Sequence, residues 1–511
     1  MKTIPTIATA GVLALALAAC GGGGGGQAGG GTPVEGGTFT FVISADPGNL
    51  DPHFTSLSST YQVDRFLYDT LVNIDTKGRM VAGLAEKWTA TATEATFTLR
   101  DGVTCADGTP LTATQVAANI SFVGDPKNAS SRIGVFVPAG ATATADEKAR
   151  TVTVTSSSPD AFLDRNVGGL PIVCAKGMAN RDLLKESADG TGLFTVKEAV
   201  AGDHYTLQRR EDYKWGPPDA DGKGLPDTVV IKVVQNESTS ANLLLSGGAN
   251  AAAFVGPDQQ RLRSQKLFQR DLLAVLGEMW FNQKAGLPGA DDEVRRALVQ
   301  ATDLDQLSTV LTGGTGKRAT GLVPPGMGPC PGDKVGDSLP KYDKDAAKSV
   351  LEKAKPAITL FYPTTLGPTM QAGAELLQKE WSELGVQVTL KGGGDAETGQ
   401  LVGGQLQWDV AFLPLNVSLP SQAVSFLSGP SAPDGTNFAS IDNADYTAKV
   451  GEASKIPGAD GCDTWGEAEK ALYEQADVVP FANSNRPMFG KGAEFELSEG
   501  SLDPATIRMV G

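Results

Sequence analysis

Five cysteines and two histidines carry the most distinctive chemistry in this chain of 511 residues. Cys20 stands between an apolar run, Gly11-Val-Leu-Ala-Leu-Ala-Leu-Ala18, and glycines at 21–26 and 29–31. Glycine offers no side chain to pack against a thiol, so this cysteine is present for its reactivity. Cys105, Cys174, Cys330 and Cys462 form no CxxC, and none of their spacings suits a zinc site. In an exported chain, four such cysteines imply two disulfides, with three possible connectivities. His53 follows Asp51-Pro52 in a turn-rich stretch, and His204 begins an alternating segment. Two scattered imidazoles cannot build a histidine-rich metal site, so no metal and no cofactor is expected.

Other motifs also fall short of catalysis. Gly190-Thr-Gly192 resembles part of a phosphate loop but lacks the lysine and the strand–helix context, and it reads as a turn leading into a strand. Gly313-Gly-Thr-Gly-Lys-Arg318 fails as a Walker motif, because Leu311 occupies the first glycine position and Arg318 replaces Ser/Thr. The pair Asp291-Asp292 suits the first turn of a helix, where carboxylates complement the helix dipole. There is no GxSxG and no HExxH. No catalytic residue is assigned; a secreted hydrolase is the remote alternative and would have to use His53 or His204.

Residues 1–19 have the layout of a secretory signal, with Lys2 as n-region and the apolar run as h-region. Leu17-Ala-Ala-Cys20 looks like a bacterial lipobox, in which Cys20 is acylated and becomes the new N-terminus. Residues 20–36 then read as a lipidated, glycine-rich tether, with a reach of ~20–24 Å for about 16 flexible residues. No later stretch has 18 consecutive apolar residues, which leaves a lipid anchor as the expected membrane attachment, outside the cytoplasm. The net charge of −16, without a notable Lys/Arg cluster, argues against nucleic acid and anionic lipid as partners. An apolar content of 41% and about 475 residues after the tether suit two or three globular cores.

Periodicity supplies the framework. Alternation marks strands at 37–43, 95–100, 150–155, 193–197, 204–209 and 228–234. Helical spacing marks 60–73 (apolar Val63, Phe66, Leu67, Leu71), a helix capped by Thr112 with Gln115, 291–301, and 464–477. Strand 358–362, helix 369–384 and strand 386–390 read as a βαβ-like unit, followed by a strand at 408–413. The outcome is mixed α/β with at least two lobes.

The chain resembles the family 5 extracellular solute-binding proteins, the peptide/nickel/oligopeptide receptors of ABC importers. The resemblance rests on Asn49-Leu-Asp-Pro52, Phe66-Leu-Tyr-Asp-Thr-Leu-Val72, Gly83-Leu-Ala-Glu-Lys-Trp88 and Phe97-Thr-Leu-Arg-Asp-Gly-Val103. It continues through Asp107-Gly-Thr-Pro-Leu-Thr-Ala113, Gly190-Thr-Gly-Leu-Phe194, Trp280-Phe-Asn282 and Val294-Arg-Arg-Ala-Leu298 to Asp303, in family order. It implies a two-lobed, periplasmic-binding-protein-like (type II) α/β fold of mixed sheets with flanking helices and a ligand cleft between the lobes. Lobe I would comprise 37–275 plus 482–511 and lobe II 280–477, with hinges near 277–279 and 477–481. This division favours the pairs Cys105–Cys174 and Cys330–Cys462, each within one lobe. A monomer that delivers a small solute to permease subunits and their ATPase is the implied function. A surface solute sensor without a transport role is the alternative.

The resemblance also nominates cleft residues. The loop before the Leu-Asp-Pro element gives Asp46, Pro47, Gly48 and Asn49; the strand entering lobe II gives Trp280 and Asn282; the loop after a late strand gives Leu415, Asn416 and Ser418. Tyr362, at a strand end, is a further candidate. Peptide-binding members carry Trp-x-x-Asp-Tyr in the late loop, where the aspartate pairs with the peptide ammonium. Phe412-Leu-Pro-Leu-Asn-Val-Ser-Leu-Pro420 carries no acid. Leaving an ammonium buried and unpaired is costly, so a sugar, opine-like or lipidic solute stands beside an oligopeptide as ligand, with a metal chelate behind them.

Overall fold

The computed structural model describes residues 31–511 apart from 56, 218, 219, 221, 325, 326, 331, 333 and 334. The signal segment, Cys20 and most of the tether lie outside the described residues.

A ten-stranded mixed sheet runs through the molecule. At one end lie Gln387–Gly393, Ala357–Pro363 and Val410–Leu413, all mutually parallel. The helix Pro368–Ser382 joins the first two, so the βαβ unit forms as its periodicity requires. At the other end lie Ala251–Ala253, Thr38–Ile43, Thr228–Val233, His204–Arg209 and Phe194–Val200. Two long antiparallel strands, Phe268–Phe281 and Val478–Gly490, connect the halves. A separate four-stranded antiparallel sheet is built from Ala85–Ala90, Glu94–Leu99, Thr151–Thr155 and Thr142–Asp146. The helix Ala113–Gly124 accompanies it, and Thr112 and Gln115 form the expected capping box.

The apolar interior is divided in two. One core gathers Phe39, Phe41, Phe66, Phe97, Val152, Phe194, Leu207 and Ile231, and takes in Phe268 and Met488 from the crossing strands and Phe495 from just after them. The other gathers Met279, Trp280, Leu298, Leu360, Phe361, Trp381, Phe412, Leu472 and Phe481. These are lobes I and II of a two-lobed α/β protein. Both bridges join the cysteines expected, Cys105–Cys174 across 69 residues and Cys330–Cys462 across 132. Each loop closure contributes roughly 4–5 kcal/mol in the chain-entropy model, the longer loop more.

The helix expected over 60–73 stops early, covering Ser58–Leu67. The Leu67 carbonyl, which would continue the helix, instead accepts the Gly192 N–H at 3.0 Å. Gly190 and Gly192 lie so close that a Cβ on either would sit 2.4 Å from a Leu67 backbone atom. Beyond the helix end, the Asp69 carboxylate accepts from Tyr213 Oη and Trp215 Nε1, both at 2.9 Å. Tertiary bonds therefore override the helical period at Leu71, and Gly190-Thr-Gly192 is a close-packing element.

Candidate functional site

The crossing strands set the site. Their pairing shifts register at Val275/Gly277 and again at Gly277/Glu278. Gly277 has φ +145°, a conformation side chains avoid, and an added Cβ would lie 3.0 Å from Phe481 Cζ and 3.1 Å from the Leu413 carbonyl. Next to it, Glu278 is fully buried, and its Oε2 accepts the Leu415 N–H at 2.8 Å. Burial pushes the Glu278 carboxyl well above the usual carboxylate range, with a lesser contribution from Glu469. Glu278 thus holds the start of the late loop onto the crossing strand. An acid within Leu-Gly-Glu-Met-Trp gives no sequence signal for this role; only its isolation in an apolar run is unusual.

A crevice of about 210 Å³ opens farther along the crossing strand, at Asp271–Leu273. Lobe I contributes Ile74, Asp75, Thr76, Gly78, Arg165 and Leu497–Gly500; the crossing strand contributes Asp271, Leu272 and Leu273; lobe II contributes Met327, Gly328 and Ser418. Arg165 Nη1 donates to the Gly78 carbonyl at 3.2 Å, and burial lowers its pKa. Asp75 is committed to Arg79 at 2.6 Å. Glu499 accepts from Tyr61 Oη at 3.3 Å and lies 3.8 Å from Arg65. Asp271 lies 3.9 Å from Arg263, so each of the three lining carboxylates has an arginine partner, and Arg165 adds a further guanidinium. A larger cavity of about 550 Å³ lies in lobe II beside Cys330–Cys462, and its described lining includes no lobe I residue.

Of the residues nominated from sequence, Ser418 lines this crevice and the others lie off it. The Ser418 N–H and hydroxyl are held by Gln422 Oε1 at 3.1 and 3.4 Å. Asn416 is exposed on the same loop, whereas Leu415 is buried and tied to Glu278. Trp280 is 1% exposed; its Nε1 donates to Leu413 O at 3.0 Å and its ring packs on Phe438 at 4.7 Å. Asn282 Nδ2 donates to the Trp408 carbonyl at 3.1 Å. Asp46 is turned into lobe I, where its carboxylate accepts from Tyr205 Oη at 3.1 Å and from the Gly48 and Gly202 amides. Pro47 is buried with its carbonyl on Thr60 Oγ1, and Asn49 Oδ1 accepts the Asp51 N–H. Tyr362 is buried over Gly392, where a Cβ would meet its ring at 2.9 Å.

Both histidines are bonded away from any solute. His53 is fully buried; Nδ1 accepts from Arg181 at 2.6 Å and Nε2–H donates to Pro171 O at 3.0 Å. Burial, with Arg181 beside it, lowers its pKa to about 3, so it stays neutral. His204 pairs with Asp203 and Glu198 at the surface.

Two α/β lobes joined by crossing strands, with a crevice bounded by both, define the class of bilobal solute-binding receptors. Residues 79–437 match the model for bacterial extracellular solute-binding proteins, family 5. The chain belongs to that family. It is 27% identical over 482 residues to the periplasmic murein peptide-binding protein MppA of Escherichia coli, covering 86% of each chain. It is 29% identical over 370 residues to the probable D,D-dipeptide-binding periplasmic protein DdpA of the same organism, covering 68% of this chain and 69% of that one. A substrate-binding protein from Microbacterium hydrocarbonoxydans, solved with 4-hydroxybenzoate hydrazide, superposes with a TM-score of 0.77 at 29% identity, over 93% of this chain and 100% of that one. The chain is accordingly an extracytoplasmic substrate-binding protein of the ABC-importer type, a receptor and not an enzyme.

Proposed function

We propose that this receptor is lipid-anchored through Cys20 and captures a small, amide-bearing organic solute by lobe closure before passing it to a permease. The observation that carries the reading is the crevice itself, lined from lobe I, lobe II and the crossing strand. Its volume of about 210 Å³ falls below the ~300–1,000 Å³ of drug-sized sites. That size suits a dipeptide or an aromatic amide better than an extended oligopeptide. The named ligands of the relatives support this range: a murein peptide, a D,D-dipeptide and an aromatic hydrazide. Asp271 or Glu499 takes the cationic or N–H end of the solute, in place of the acid missing from the late loop. Ser418 and Arg165 offer hydrogen bonds from elsewhere on the lining, with Asn416 exposed two residues before Ser418, while Asp46, Pro47 and Asn49 shape the lobe I loop.

Lobe I comprises 37–275 plus 482–511 and lobe II 280–477 in this reading, and the register shifts around Gly277 are the bending point. Disulfides confined to single lobes stiffen each body and leave the bend free. Thermal shift and calorimetry with a dipeptide panel, 4-hydroxybenzoate hydrazide and a nonapeptide test the ligand assignment. Stabilisation by a small compound, lost in Asp271→Asn or Ser418→Ala, is expected; stabilisation by the nonapeptide alone overturns it. For the anchor, Cys20→Ser should move the protein from the membrane fraction to the soluble one.

A further inference from the structure

The lobes also meet away from the crossing strands. In lobe I, Asp160 accepts from the Phe162 N–H and from Asn166 Nδ2, both at 2.9 Å, which fixes the turn carrying Ala161 and Phe162. Phe162 is 1% exposed, yet apart from Ala161 the buried members of its cluster are lobe II residues: Cys330, Leu419, Ala453 and Trp465. Its ring stacks on Trp465 at 6.2 Å and 29°. The Ala161 carbonyl accepts the Gly458 N–H at 2.7 Å across the same junction. Gln422 Nε2 reaches Asn166 Oδ1 at 3.5 Å, while Gln422 Oε1 holds the Ser418 and Leu419 N–H groups. Arg165, three residues beyond the ring, and Ser418 both line the crevice, so this contact lies at the crevice edge.

A phenyl ring buried by the opposite lobe is water-exposed once the lobes separate. Its burial is therefore a contribution to closure that does not depend on what occupies the crevice. We propose that Phe162 and its lobe II socket form a latch that stabilises the closed arrangement and sets the solute affinity and release rate from outside the solute site. The socket is fitted for this: Cys330–Cys462 ties one wall to the first turn of the helix Cys462–Glu474, so the ring enters a stiff recess. Because a latch acts on the closed population, it scales affinity for every solute by the same factor and does not discriminate among them. The proposal rests on the lobe-closure reading above.

Solution scattering and amide exchange on the full chain, with no solute added, separate the two ideas. One variant, Phe162→Ala, removes the ring; a second, Ala453→Trp, wedges the socket from the lobe II side. Phe162→Leu serves if the alanine variant folds poorly, and unchanged exchange in the strand Ala357–Pro363 reports that lobe II is intact. Expected are a larger radius of gyration in both variants and exchange of the Gly458 amide about tenfold faster than in the wild type. If Ala453→Trp expands the protein and Phe162→Ala leaves both readouts at wild-type values, the lobes do move and the latch is overturned. If neither variant expands it, the lobes are rigidly joined, and the closure reading falls with the latch.

Discussion

Two buried clusters, one in each lobe, stabilise their ionisable groups by opposite means, although lobe II also holds the buried pair Arg295–Asp477 at 2.9 Å and lobe I the raised carboxyl of Asp64. In lobe I, Arg181 donates to Asp51 at 2.9 and 3.0 Å and to His53 at 2.6 Å, and its guanidinium lies 4.5 Å from the Phe122 ring. The cation is supplied with partners, and His53 is left neutral. In lobe II, Glu278 and Glu469 interact beside Tyr473, and their donors are the Leu415 and Leu322 amides and the Tyr473 hydroxyl. Burial raises both carboxyls, Glu469 to about 7. One cluster keeps its charge and pairs it; the other sheds charge by holding protons. The first sits within lobe I, away from the crossing strands. The second adjoins Gly277, where the crossing strands change register, and a neutral acid there can hold the late loop without fixing a full charge at the bend proposed above.

The largest expected effect comes from breaking the paired cluster. Arg181→Leu leaves Asp51 buried with no cation and removes the donor to His53. Loss of one partner from a buried pair costs about 3–5 kcal/mol. Hydrogen exchange should show that cost in lobe I strands such as Thr228–Val233, with lobe II strands such as Ala357–Pro363 little changed. Equal loss of protection in both lobes would contradict the separation of the two cores.

The second effect lies at the junction. At an ordinary strand position, Gly→Ala is neutral or stabilising because it restricts the unfolded chain. Gly277→Ala must instead place a Cβ at φ +145°, 3.0 Å from Phe481 Cζ. A cost of about 2 kcal/mol is expected, measurable by urea denaturation. A stabilised variant would show that the junction tolerates a side chain and is not conformationally special.

How much of this was legible beforehand depended on where the determinants lie. Elements with one buried face announced themselves: Thr151–Thr155 alternates intermediate and buried positions, and Thr112 with Gln115 caps its helix. The crossing strands did not, because Phe268–Phe281 mixes Arg270, Asp271 and Glu278 with apolar residues and keeps no simple alternation. Helix 60–73 was overextended because its terminator is Gly192, far away in sequence. Motif resemblance located the late loop and hence Ser418. It does not nominate Arg165, Asp271 or Glu499, which line the crevice from three stretches far apart in the sequence of lobe I and carry no shared motif. Asp46 and Trp280 were legible as residue types but not as orientations: one carboxylate faces Tyr205, and one indole is enclosed by Leu413 and Phe438.

The smallest effect sharpens the contrast by its sign. Glu469 is raised from 4.5 to about 7 by burial, so between those pH values the unfolded chain has lost a proton that the folded chain retains. Stability contributed by this group is complete below pH 4.5, falls as pH rises to about 7, and is flat above. His53 behaves inversely: lowered from 6.5 to about 3, it costs stability as pH falls through that window, because only the unfolded chain takes up the proton. The two slopes oppose each other between pH 4.5 and 6.5. Glu469→Gln keeps acceptors for Leu322 and Tyr473 but cannot ionise, so it should remove the alkaline-side loss and leave the acid-side loss. Relative to the wild type, it should gain about 1 kcal/mol between pH 4.5 and 8, after allowance for solvent reaching the group. Denaturant midpoints at pH 4.5, 6 and 8 measure the gain. A variant whose difference from the wild type is the same at all three would show that Glu469 ionises alike in both states, and the Glu278–Glu469 cluster would then no longer contrast with the Arg181 cluster in how it carries buried charge.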